Sequence, residues 1–442
     1  MTEENSVQIE RNAADERLPS QPPLPVPDRD KIDGRYCQLY HEITSQLPRI
    51  ISTVGGYSPQ EWFDINSLAM EYVRSGWHSP RFLRCRVEFY KGGYHDETSP
   101  RETLKFFVKC IPYQDHESIE TSSSPLQREI ELHSLMAPSK VVPAAFYWEE
   151  LGNKIILEQG GDQTAEDRLA SLSNGKRANL ESHMIRNIAE FNMQAQTKTS
   201  AALQSKVLCE WLRLKKPSID QAIRYFRIYL EANSKEASQE LLSQFGESYA
   251  PLISMYGEGD TQLVHGDLRR QNIVGPGNGE EWTPDKIKIV DLGSMVLGDP
   301  LFGLAEFLTS AGTRADVARW NSAILEYKTQ EAHLRGIMGG KGIRFLREEG
   351  ARVRERFYVA AVHSAVKGLS KMAKLRTSAP QDYDRIMRAR PVLSRHDEDM
   401  KRTIRVGLKS LLKGAKDFHL NREETDSVKK ILQIFNQSDL LR

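Results

Sequence analysis

Cysteine is scarce in this chain: the 442 residues hold four, Cys37, Cys85, Cys110 and Cys209, with no C-x-x-C spacing. That scarcity excludes a disulfide framework and the common cysteine-rich zinc sites, and it suits a reducing compartment. Long apolar runs are also missing. Nothing approaches the roughly eighteen consecutive apolar residues that a membrane-spanning helix needs. The start, Met1-Thr2-Glu3-Glu4-Asn5, is acidic and polar, without the basic-then-apolar order of a secretory signal, so the cytoplasm is the expected location. Net charge is nearly absent, since 61 Lys and Arg against 60 Asp and Glu leave +1. Such a balance gives no global attraction towards nucleic acid or a membrane surface.

What is present is an ordered succession of patterns. Residues 1–30, with Leu18-Pro19-Ser20-Gln21-Pro22-Pro23-Leu24-Pro25-Val26-Pro27, read as a disordered, proline-rich tail. Residues from about 31 to 74 read as helical, with Trp62, Phe63, Ile65, Leu68, Met70 and Val73 available for packing. Strands are predicted over 83–90, 104–111 and 154–159, and a helix over 127–136. Farther on, Leu180, Met184, Ile188, Phe191 and Ala195 recur at helical spacing, as do Ile219, Ile223, Phe226 and Leu230. Tyr358, Val362, Ala365, Val366 and Leu369 form a third stripe. Stripes of this kind are core.

The most telling stretch is Leu263-Val264-His265-Gly266-Asp267-Leu268-Arg269-Arg270-Gln271-Asn272-Ile273-Val274. After the turn Gly275-Pro276-Gly277-Asn278-Gly279 comes Ile287-Lys288-Ile289-Val290-Asp291-Leu292-Gly293. An acid, an amide five positions later and a second acid thus stand at the ends of short apolar strands. Phosphoryl transfer from a magnesium nucleotide requires those types. A carboxylate orients the attacking hydroxyl and takes its proton, while hard Mg²⁺ prefers carboxylate and amide oxygens. Asp267 is the candidate base, and Asn272 and Asp291 are the candidate metal ligands.

His265-Gly266-Asp267 with Asn272, then Asp291 after a strand, resembles the catalytic and metal-binding segments of the aminoglycoside phosphotransferase and choline-kinase-like family, within the protein-kinase-like superfamily. Protein kinases share the Asp-to-Asn spacing but usually carry Arg where this chain has Gly266. The resemblance implies an α+β, bilobal protein-kinase-like fold: a small antiparallel β-sheet lobe with its N-terminal extension over 31–159, and a larger, mainly helical lobe over 160–442. It implies Mg-ATP as donor, with GTP as the alternative, and a hydroxyl as acceptor.

The same resemblance calls for a phosphate-gripping Lys on an apolar strand and a Glu on the following helix. Lys109, after Phe107-Val108, fits the first, with Lys105 as the alternative. Glu129 fits the second, with Glu131 in reserve and an ordinary solvated helix charge as the competing reading. A G-x-G-x-x-G loop is absent. Ser75-Gly76-Trp77-His78-Ser79-Pro80-Arg81-Phe82 stands in its place, where backbone N–H groups around Ser79 could meet phosphate while Pro80 removes one donor. Glu158 and Gln159, running into Gly160-Gly161, fit the hinge whose backbone meets an adenine edge. Arg269 either reaches the γ-phosphate or serves solubility. His265 and Asp299 are read as braces of the loop.

The chain beyond Asp291 bears on the acceptor. Protein kinases interpose a segment of about twenty or more residues that forms a peptide platform, whereas here Asp299-Pro300 follows almost at once. A small-molecule acceptor is therefore expected, with no nucleic-acid partner and no membrane, and no pattern speaks to oligomeric state. Gly303 departs from the family, which commonly places a second Asp there. From residue 331 onward Lys and Arg exceed Asp and Glu by about ten, at Arg344, Arg347, Arg352, Arg354, Arg356, Lys367, Lys371, Lys374 and Arg376 among others. This is either a solvated helix face or the mark of an anionic acceptor or partner, and it argues against a polycationic aminoglycoside. A kinase-fold pseudoenzyme that only binds nucleotide, and a protein kinase, are the alternative readings.

Overall fold

The computed structural model describes residues 34–58, 61, 63–73, 82–91, 100–110, 124–137, 139–158, 161–233, 239–257, 261–277, 279–310, 315–336, 340–389 and 391–436. The proline-rich tail, the loop with Ser79, and Gln159 lie outside them. The chain divides into two compact units, Met1–Gly160 with Lys206–Glu210, and Gly161–Ser205 with Trp211–Arg442.

In the first unit, α1 (Gly34–Gly55) precedes β1 (Phe63–Val73), β2 (Phe82–Lys91) and β3 (Arg101–Cys110), and α2 (Pro125–Met136) precedes β4 (Ala145–Phe146) and β5 (Lys154–Glu158). The five strands form one antiparallel sheet in the order β1-β2-β3-β5-β4. Alternation assigns its two faces. Leu83, Cys85, Val87 and Phe89 of β2, with Phe106 and Val108 of β3, meet Tyr40, Ile43, Leu47, Ile50 and Ile51 of α1 in the main core. The opposite face presents Phe107, Ile155 and Leu157 to Leu126 and Ile130 of α2. Each fully buried apolar side chain of this set contributes roughly 1.5–3 kcal/mol.

The region around β1 corrects the helical reading of 31–74. Residues 63–73 pair with β2 along their whole length, and the register shifts between Ile65 and Ser67. Phe63 and Ile65 before the bulge, and Leu68 and Met70 after it, pack on the core. One inserted residue therefore turns a two-residue alternation into spacing that mimics a helix.

The second unit is mostly helical. After β6 (Gln163–Thr164) come α3 (Ala165–Ala170) and α4 (Asn174–Gln204); the single turn α5 (Leu208–Trp211) falls, but for Trp211, in the segment that belongs to the first unit, and β7 (Leu214–Lys215), α6 (Ile219–Ala232) and α7 (Gln239–Tyr256) follow. Then follow β8 (Gln262–Val264), β9 (Ile273–Gly275), β10 (Lys288–Ile289), β11 (Val296–Gly298), α8 (Pro300–Leu308), α9 (Val317–Leu334), α10 (Gly340–Ser378), α11 (Pro380–Ala389), α12 (His396–Lys413) and α13 (Arg422–Asn436). Two three-stranded sheets, β10-β9-β6 and β7-β11-β8, frame the segment 265–272. The stripes of α4, α6 and α10 are buried: Met184, Ile188 and Phe191, then Phe226 and Leu230, then Tyr358, Val362, Ala365 and Val366. No helix among the described residues is long and apolar enough to cross a membrane.

Candidate active site

The loop between β8 and β9 carries Asp267 and Asn272, and its shape follows from Gly266. That residue has φ +75°, and a Cβ there would lie 2.1 Å from the Ser294 carbonyl oxygen. Both the left-handed backbone and the close approach demand glycine. His265, 1% exposed, pins the loop: its Nε2 lies 2.7 Å from the Val290 carbonyl oxygen, and its Nδ1 accepts from the Asp267 N–H at 3.4 Å. This pattern assigns the ring proton to Nε2. The backbone N–H of Val290 donates in turn to the Asn272 carbonyl at 2.9 Å. Both backbone groups of the residue before Asp291 are thus tied to the loop that bears Asp267 and Asn272.

The side chains are oriented as well. Asn272 Nδ2 donates to the Asp267 carbonyl oxygen at 2.8 Å, which leaves the amide oxygen Oδ1 as its acceptor end. Asp291 adopts φ 67°, ψ 52°, a left-handed conformation that Asp tolerates better than most side chains and that recurs at functional sites. Asn272 and Asp291 together offer hard oxygen donors, and that donor set fits Mg²⁺, which takes one or two protein ligands beside phosphate and water. Arg269 Nε lies 2.9 Å from Asp267 Oδ1, so the guanidinium pairs with the candidate base, a contact that neither the γ-phosphate reading nor the solubility reading of Arg269 included.

Two neighbours of Arg269 anchor the loop to helices. Arg270, 4% exposed, donates to Glu181 Oε1 of α4 at 2.7 Å, and Arg319 of α9 shares that carboxylate at 2.6 and 2.8 Å. Burial lowers the Arg270 guanidinium to about 10, with Glu181 opposing. Gln271 Nε2 donates to Glu166 Oε2 of α3 at 2.8 Å. Asp299, 5% exposed, caps α8 through the Leu301 N–H at 2.8 Å and pairs with Arg356 of α10. It therefore braces α8 and α10. Gly303 lies against Leu268 with room for a Cβ at 3.5 Å.

Beside this loop stands a buried ion cluster, little of which is legible in the sequence. Lys215 of β7 donates to both Glu306 carboxylate oxygens, at 2.8 Å to each, and also to the Gly266 carbonyl oxygen. Lys367 of α10 reaches Glu306 Oε1 at 3.0 Å, and Lys215 Nζ stands 4.7 Å from the centre of the Phe302 ring. Burial would raise the Glu306 carboxyl, but the two lysines hold it well below the usual range. Burial pushes the Lys215 ammonium down to about 8 despite Glu306. The one readable signal was Glu306 in the apolar run Leu301-Phe302-Gly303-Leu304-Ala305-Glu306-Phe307-Leu308, where an acid must find a cation.

In the first unit, Lys109 and Glu129 meet. Lys109 Nζ lies 2.5 Å from Glu129 Oε1, with their side chains 6% and 5% exposed. The pairing follows from local structure: Lys109 shares its face of β3 with Phe107, which packs on α2. Helix α2 begins at a Ser124–Gln127 capping box, so Glu129 falls in its first turns. Buried His133 places Nε2 3.6 Å from the same carboxylate oxygen. Burial would raise the Glu129 carboxyl, and Lys109 with His133 reverses this and holds it below the usual range. Glu131, the reserve partner, and Lys105 take no part in this pair. Glu158 is exposed, and its N–H is bonded to the Ala144 carbonyl at 2.8 Å, so that donor is not left for an adenine edge.

The model of APH, the phosphotransferase enzyme family, matches residues 87–337. No curated protein sequence matches the chain. Among solved structures, an ethanolamine kinase of Plasmodium vivax is 12% identical, with 83% of this chain and 91% of that chain covered and a TM-score of 0.43. A choline kinase of Cryptosporidium parvum Iowa II is 10% identical, covering 89% and 99%, with a TM-score of 0.45. The GDP complex of aminoglycoside 2'-phosphotransferase-IIIa is 14% identical, covering 82% and 98%, with a TM-score of 0.44.

Proposed function

The chain belongs to the phosphotransferase enzyme family, with the kinase-like order of antiparallel sheet and then helices, and we propose that it transfers the γ-phosphoryl group of Mg-ATP to a hydroxyl of a small molecule. The observation that carries the reading is the bonding around Val290, which ties the backbone next to Asp291 to both Asp267 and Asn272. In the transfer, a bond forms between the acceptor oxygen and the γ-phosphorus while the bond from that phosphorus to the β,γ-bridging oxygen breaks. ADP leaves with the electron pair, and the hydroxyl proton passes to Asp267.

The chain's own residues set the geometry for this. His265 and the turn at Gly266 fix where the Asp267 carboxylate points, and Arg269 orients that carboxylate through its 2.9 Å bond. Asn272 Oδ1 and the Asp291 carboxylate would hold Mg²⁺, which when bound neutralises phosphate charge and orients the oxygens. Lys109, held by Glu129, would bind the α- and β-phosphates, as its buried, paired ammonium suits. GTP is the alternative donor. The span after Asp291, short as it is before α8 begins, favours a small acceptor over a protein.

Substitution of the base is the direct test. Asp267→Asn is expected to slow transfer about 10²- to 10⁴-fold, with Mg-ATP affinity little changed. The check is formation of phosphorylated products from a pooled metabolite extract and γ-labelled ATP, beside a nucleotide titration. Wild-type rates in the Asp267→Asn variant would sink the role given to this carboxylate.

A further inference from the structure

The cations around Asp267 outnumber the acids. Lys215 and Lys367 share Glu306, and Arg269 pairs with Asp267. Lys371 follows Lys367 by one turn on the same face of α10. Its charge interacts with Arg269, Lys367, Asp267 and Glu306. Four cations thus stand against two carboxylates. Lys371 is exposed to solvent while Lys215 and Lys367 are largely covered, so the excess charge opens outward at Lys371. Partial loss of water, with Arg269 and Lys367 adding to it, lowers the Lys371 ammonium to about 8. His363, one turn before Lys367, is buried and held down to about 3, so it stays neutral and adds no charge.

A cationic acceptor would be repelled here, whereas an anion would satisfy ammonium and guanidinium groups that protein carboxylates leave under-compensated. Resting on the phosphotransferase reading above, we propose that Lys371, Lys367 and Arg269 hold an anionic substituent of the acceptor, a carboxylate or phosphate ester, beside the hydroxyl that Asp267 deprotonates. The Lys215–Glu306 pair beneath them fixes Lys367 and keeps the patch positive against the loop. The chemistry is that of an oxyanion held by convergent cations, with Arg supplying a planar fork and the lysines point charges.

The test uses the full-length chain and three matched sets of probes: glycerate and ribose 5-phosphate as anions, glycerol and ribose as neutral analogues, and choline and ethanolamine as cations. Mg-ATP turnover above the acceptor-free rate, and binding of each probe to the Mg-ADP form, are measured. The anionic members are expected to surpass their neutral analogues by about tenfold or more, from one or two uncompensated cations at an effective dielectric of about 20. The carboxylate and phosphate arms show which oxyanion is preferred. Lys371→Glu, at an exposed position, should abolish that advantage, whereas Lys374→Glu, the same charge change at an exposed site on the same helix, should keep it. The inference is overturned if anionic probes do no better than neutral ones, if the cations do best, or if Lys371→Glu loses Mg-nucleotide affinity in place of anion preference. Failure of the phosphotransferase reading would look different: the wild type would bind no Mg-nucleotide at all.

Discussion

Two buried acids, Glu129 in the first unit and Glu306 in the second, are each held by lysine, but in different proportions. Glu129 has one ammonium at 2.5 Å, with a histidine nearby. Glu306 has two ammoniums at 2.8 and 3.0 Å. A balanced pair cancels its own field and acts as a strut, fixing a strand to a helix. An unbalanced cluster leaves net positive charge where it stands, and that place adjoins the loop bearing Asp267. The same residue types thus serve position in one unit and field in the other, and the proportion of cation to acid decides which.

The largest expected effect comes from removing the shared acid. Glu306→Gln leaves two largely covered ammoniums without a carboxylate and should destabilise the fold by about 3–5 kcal/mol, the cost typical of breaking a buried ion pair. Lys215 already has its ammonium lowered to about 8. A base with a depressed folded pKa gains stability as pH rises from that value towards its ordinary 10.5, because the unfolded chain then holds more protons. Without Glu306 the Lys215 pKa falls further still, so the penalty of Glu306→Gln, read by urea unfolding, should shrink as pH rises towards about 8, where Lys215 loses its proton in the wild type as well. A penalty that does not change with pH would mean that the lysines are not the groups left uncompensated.

Glu129→Gln should cost somewhat less, about 3 kcal/mol, because it strands one ammonium rather than two. Its pH dependence has the opposite character. The Glu129 carboxyl is held below its ordinary 4.5 by Lys109 and His133 against burial, so its contribution is complete above that value and is lost as pH falls through the lowered one. Unfolding curves of wild type and variant should converge on acidification below about pH 4.5. A gap that persists in acid would remove the charge from the explanation and leave packing.

The strut was readable in the sequence and the cluster was not, for a physical reason. Lys109 and Glu129 are 20 positions apart and belong to an alternating strand and a capped helix, so local periodicity places each on the face where they meet. The segment from His265 to Asp291 was legible for the same reason, since turn chemistry and short strands set its shape. Lys215, Glu306 and Lys367 are separated by 91 and 61 positions, and no local pattern brings them together. Lys367 and Lys371 were visible as part of a basic helix, but only tertiary packing separates them from solvated neighbours such as Lys374. The strand Phe63–Val73 was misread because its bulge breaks the alternation on which such readings depend.

A third acid supplies the limiting case, in which a like charge stands where a cation would. Glu355 on α10 is half-buried, and burial together with Glu424 of α13 raises its carboxyl to about 7, with Arg352 opposing. An acid whose folded pKa is raised binds its proton more tightly in the native state, so it withdraws stability as pH climbs from about 4.5 to about 7. Glu355→Gln should match the wild type in acid and exceed it at pH 8. The gain should be about 1 kcal/mol, because solvent around a half-exposed group screens much of the interaction. Urea unfolding at pH 4 and pH 8 checks it. A variant no more stable than the wild type at pH 8 would show that Glu355 finds compensation in solution. It would then join Glu129 and Glu306 among the acids whose cost is met by a neighbouring cation.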